Sequence, residues 1–89
     1  MKAVVTVVGK DTTGIIAKVS TALYEADVNI LDISQTIMQD LFTMIMLVDC
    51  EASKHNISDI SDKLQVIADE MGLSIRVQRE DIFSSMHKI

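Results

Sequence analysis

The 89-residue chain carries thirteen acidic against eight basic residues, a net charge of −5. That is the wrong sign for a surface that must displace counterions from a phosphate backbone, and three aromatics (Tyr24, Phe42, Phe83) are too few for a base-stacking platform, so no nucleic-acid partner is expected. Hydrophobic residues at 48% and charged residues at 24% describe an ordered globular chain with room for one domain, residues 1–89.

Val4, Val5, Val7 and Val8 are stiff β-branched residues that favour a strand, expected over Lys2–Val8. The stretch Gly9-Lys10-Asp11-Thr12-Thr13-Gly14 gathers flexible and capping residues ahead of a helical pattern, so the chain turns there. From Ile15, the residues Ile16, Val19, Leu23 and Ala26 fall three or four apart on one helix face, with Lys18, Thr21 and Glu25 turned away. Leu31, Ile33 and Ile37 then alternate with Asp32, Ser34 and Thr36, predicting a second strand over Val28–Met38 with one wet face.

Gln39-Asp40 makes a turn into Leu41–Cys50, a third strand. It carries Phe42, Met44, Met46 and Val48 on one side and Ile45 and Leu47 on the other, the pattern of a central strand. Asn56 caps a second helix with Asp59 in its first turn, and Ile57, Ile60, Leu64, Ile67 and Met71 repeat at helical spacing up to Gly72, a natural helix stop. Leu73, Ile75 and Val77 alternate with Ser74, Arg76 and Gln78 as a fourth strand. In the tail from Asp81, Ile82, Phe83, Met86 and Ile89 are spaced for a short amphipathic helix.

The order β-α-β-β-α-β predicts an α+β, ferredoxin-like sandwich: a four-stranded antiparallel sheet with both helices on one face, plus a short C-terminal helical tail. The opposite face, with Asp32, Ser34, Thr36, Ser74, Arg76 and Gln78, is left for water or a partner. A chain this small buries only roughly 60–65% of its unfolded surface, so a second copy that covers more apolar area is expected.

Cys50 is the sole cysteine, so no internal disulfide forms and a reducing, cytoplasmic compartment is expected. The apolar segment after Lys2 stops at Gly9, too short for a signal-peptide core, and no run approaches the length of a membrane span. His55 and His87 have no second ligand at a metal-binding spacing, Cys50 reads as an inert buried thiol, and Met38, Met44 and Met46 read as core or interface filler. With no nucleophile–base pair visible, no catalytic machinery, metal or cofactor is expected.

Three groups carry a resemblance: Gly9 through Ser20 (Gly-Lys-Asp-Thr-Thr-Gly-Ile-Ile-Ala-Lys-Val-Ser), Leu23, and Val28-Asn29-Ile30-Leu31-Asp32-Ile33-Ser34-Gln35. Together they resemble ACT domains of the glycine-cleavage-regulator type, and the match runs over the whole chain. The tail Arg79-Glu80-Asp81-Ile82-Phe83 with Met86-His87 is similar to a little-characterised family of stand-alone ACT proteins. The resemblance implies a homodimer whose sheets or helices join side by side. It also implies a small ligand, usually an amino acid, bound where the first loop meets the second strand of the neighbour, and a metabolic enzyme or regulator as downstream partner.

The residues implied in that site are Gly9, Lys10, Asp11, Thr12, Thr13, Gly14, Ile15, Asn29 and Ile30. Glycines admit a ligand close to backbone N–H groups, the helix start favours a carboxylate, Asp11 answers an amino group, and Asn29 offers donor and acceptor. Many relatives carry Pro where this chain has Thr13, itself an N-cap residue type. Each residue also has a plainer role, as turn glycine, helix cap or strand start, and a dimerisation module without a ligand is the alternative reading.

Overall fold

A computed structural model describes residues 1–86; the expectations placed on His87 and Ile89 lie outside the described residues. The chain runs β1 (Lys2–Lys10), α1 (Ile15–Glu25), β2 (Asn29–Met38), β3 (Leu41–Asp49), α2 (Ile57–Met71), β4 (Leu73–Arg79) and α3 (Glu80–Met86). All strand pairs are antiparallel, and the sheet order is β2-β3-β1-β4. This is the ferredoxin-like sandwich that the element order predicts.

The ladder assigns each residue to a face. Ala3, Val5 and Val7 pair with Val48, Met46 and Met44, and all six are buried under the helices. Ile60, Leu64 and Ala68 of α2 and Val19, Ala22 and Leu23 of α1 close the same core. On the other side, Asp32, Ser34 and Thr36 share a face with Leu47, Ile45 and Thr43, and Arg76, Gln78 and Ser74 with Thr6, Val4 and Val8. The polar residues expected away from the helices therefore do lie on one face, with β1 and β3 as the central strands.

α2 forms as its sequence dictates. The Asn56 side-chain oxygen accepts the Asp59 N–H at 2.8 Å, satisfying one of the otherwise orphaned first-turn donors. Gly72 closes the helix in the left-handed conformation at φ 69°. Between the helices, exposed ion pairs Lys18–Glu70 and Lys63–Glu25, at 3.4 and 3.8 Å, bridge α1 to α2 and contribute little in solvent.

Five expectations need correction. β1 does not stop at Val8, because Gly9 and Lys10 continue the ladder opposite Phe42 and Leu41. β2 begins at Asn29 rather than Val28 and β3 ends at Asp49 rather than Cys50. The inward stripe of α1 starts at Ile15, with Ile16 41% exposed: Ile15, Val19, Ala22, Leu23 and Ala26 serve the core. Thr13 does not cap α1; Gly14 takes that position with φ 91°, and no side chain caps the helix.

Met44 and Met46 are core residues, as is Cys50, whereas Met38 is 69% exposed at the end of β2. Burial pushes the Cys50 thiol above its ordinary range, with Asp49 adding to the rise and the N-terminal ammonium opposing it. His55 is exposed in the turn before α2. In α3, Ile82 is exposed and Phe83 half-buried where the helix packs against β1 and β4. No described helix is long and apolar enough to cross a membrane.

Candidate functional site

The loop between β1 and α1 comprises Asp11–Gly14. The N–H of Asp11 donates to the Asp40 carbonyl at 2.7 Å, tying this loop to the turn between β2 and β3. That bond follows from topology: Lys10 and Met38 both pair with Leu41, so the end of β1 and the end of β2 lie level at one end of the sheet.

At Gly14 the chain enters α1 through a left-handed residue. A Cβ there would meet nothing within 4 Å, so glycine is required by φ rather than by crowding. The Gly14 carbonyl accepts the Lys18 N–H at 2.9 Å, the first bond of the helix. The N–H groups ahead of it, on Ile15, Ile16 and Ala17, belong to the uncapped first turn, and no acidic residue sits there to oppose the positive end of the helix dipole.

Beside this turn lies a groove of about 470 Å³ between the start of α1 and the end of β2. Its polar rim is Asp11, Thr12 and Gln35, and its apolar lining is Ile15, Ile16, Ile37 and Phe42, with Gly14 and Ala17 completing the wall. The register explains the β2 contribution: Gln35 and Ile37 pair with Met44 and Phe42, so both sit on the helix-facing side of the sheet. Among the described residues, the Asp11 carboxylate makes no ion pair or hydrogen bond.

Of the residues implied at sequence level, the structure brings Asp11, Thr12, Gly14 and Ile15 together in this groove. Gly9 and Lys10 belong to β1, Lys10 exposed and Gly9 packed against Leu73, and Thr13 is exposed but does not line the groove. Asn29 and Ile30 stand at the opposite end of the sheet. Asn29 and Lys2 both pair with Asp49, which puts Asn29 roughly 25 Å from the loop of its own chain at about 3.3 Å per strand residue.

Sequence reasoning missed Ile16, Ala17, Gln35, Ile37 and Phe42. The signal was available in part, since once β1 and β2 run in the same direction the end of β2 must return to the first loop. Elsewhere, Asp81 is held below the usual carboxylate range by its hydrogen bond from Arg79, far from the groove at the other end of β1. Among the described residues no group of three His, Cys, Asp or Glu side chains stands together to hold a metal ion.

The fold and the loop-to-helix groove define a class, and residues 2–78 match the model of the ACT domain; the chain belongs to the ACT-domain family. Its relatives include a UPF0237 protein of Clostridium acetobutylicum, 51% identical over 89 residues and covering the whole of both chains. Among solved structures, an ACT domain protein from Streptococcus pneumoniae superposes with a TM-score of 0.81 at 37% identity, covering 93% of each chain. A putative glycine cleavage system transcriptional repressor superposes with a TM-score of 0.76 at 27% identity, covering 86% of this chain and 44% of that one.

Proposed function

We propose that this chain is a small regulatory module that binds a free amino acid and passes its occupancy to a metabolic enzyme or regulator. The observation that carries this reading is the uncapped start of α1 at Gly14 beside the unpartnered Asp11 carboxylate. Helix-start N–H groups suit the ligand's carboxylate, and Asp11 suits its ammonium. Membership of the ACT family and the likeness to a glycine cleavage repressor support a regulatory role over a catalytic one.

The working unit of this proposal is a homodimer. β2 is an edge strand with an exposed row of backbone groups, and Leu31 and Ile33 leave apolar surface beside it. Antiparallel pairing of two β2 strands would carry the neighbour's Asn29 and Ile30 toward this chain's first loop, which is how residues at opposite ends of one sheet come to share a site. The same exposed edge favours the second reading, a dimerisation module without a ligand.

Thermal denaturation with a panel of amino acids separates the two, combined with light scattering to read the oligomeric state. A ligand at a hundredfold its Kd stabilises the native state by about 2.7 kcal/mol, which raises Tm by roughly ten degrees or more for a chain this size. A dimer whose Tm no amino acid moves would leave only the dimerisation reading.

A further inference from the structure

We infer that the groove selects amino acids with apolar side chains over small, polar or charged ones, an inference that rests on the amino-acid reading above. Charge disfavours ionic side chains. Among the described residues Asp11 is the only charged one lining the groove, and in the amino-acid reading it is taken up by the ligand's ammonium. A second ammonium or guanidinium would compete for the same carboxylate, and a second carboxylate would meet no cation among the described residues that line the groove.

Exposed apolar surface favours large apolar side chains. Ile16 lies off the α1 stripe that serves the core and stays 41% exposed. Ile37 is on the helix-facing side of the sheet yet remains 49% exposed, while Phe42 beside it is sealed at 2%. Two β-branched side chains thus stand wet around an apolar floor, in a groove whose polar side chains, among the described residues, are Asp11, Thr12 and Gln35. Glycine or serine would leave Ile16 and Ile37 in water; a leucine, isoleucine, valine, methionine or phenylalanine side chain would cover them. The volume of about 470 Å³ falls within the usual range for small-molecule sites and admits all of these.

The test is isothermal titration of the full chain, in its native oligomeric state, with leucine, valine, phenylalanine, glycine, serine, aspartate and lysine. Each buried methylene strengthens binding roughly fourfold, so leucine is expected to bind at least about tenfold tighter than glycine or serine. Ile37→Ser is expected to weaken leucine roughly fivefold, Ile37→Val to restore most of that, and Val66→Ser, an exposed change between α1 and α2, to leave leucine affinity as it was. Circular dichroism of each variant confirms that it folds. Glycine, serine, aspartate or lysine binding as tightly as leucine would overturn the selectivity while leaving the amino-acid reading standing. Binding by none of the seven would overturn both.

Discussion

Gly9 and Leu73 face each other across the β1–β4 ladder so closely that a Cβ built on Gly9 would stand 2.6 Å from Leu73 Cδ2 and 3.3 Å from its Cα. Gly9 is an extended strand residue, so crowding rather than φ demands glycine. Leu73 is buried in the core, so its side chain must shift against packed neighbours to admit the methyl. Gly9→Ala is expected to cost about 1–3 kcal/mol by overpacking. Leu73→Ala removes the obstructing atom, so the double variant should lose less than the sum of the two singles; strict additivity in urea unfolding would mean that the contact is not the cause.

Gly14 asks for glycine on the opposite ground. Its φ of 91° is unfavourable for any residue with a Cβ, although a Cβ would touch nothing. Gly14→Ala should therefore cost about 1–2 kcal/mol, and Gly14→Asn less, since asparagine tolerates the left-handed region. Equal losses for the two in chemical denaturation would argue that the loop relaxes to another conformation.

The cap of α2 rests on one bond, from the Asp59 N–H to the Asn56 side chain. Asn56→Ala should lower stability by about 1 kcal/mol, while Asn56→Asp should hold it, because a carboxylate accepts the same hydrogen bond and meets the positive end of the helix. The comparison is a pair of equilibrium unfolding curves, and a loss in the aspartate variant as large as in the alanine variant would contradict it.

Cys50 gives a pH dependence whose sign is fixed by its raised pKa. Burial is the main cause, so the folded protein holds the thiol proton more tightly than the unfolded chain, whose thiol titrates at its ordinary value of 9.0. The stabilisation is fully present below that value and is lost as pH rises from it through the folded pKa. Subtracting the Tm profile of Cys50→Ala from that of the parent should leave a difference that is flat below pH 9 and declines above it. A difference independent of pH would show that the thiol ionises alike in both states.

The sequence made some features plain and hid others for physical reasons. α2 was legible because its apolar spacing, Asn56 and Gly72 all agree on the same limits. The face of α1 was not, since Ile15 and Ile16 are adjacent and equally apolar, and only tertiary packing chooses between them. Gly9 suggested a turn, yet the ladder to β3, joined at Gly9 by the ladder to β4, carries β1 two residues further. Of the groove, the loop half was readable from its own residues. Gln35 and Ile37 were not, because what brings them there is the direction of β2 relative to β1, a property of the sheet and not of either segment.

One irregularity in β2 sets a limit on what can join it. The register shift between Ile30 and Asp32 breaks the strand's regular spacing, so an incoming strand finds an even row only along Asp32–Met38, whose middle residue is Gln35. Two copies pairing there about a two-fold axis would meet at their own Gln35 residues, on the rim of both grooves. Filling a groove and closing the pair would then be one event felt at a shared residue, with no signal needing to cross the core.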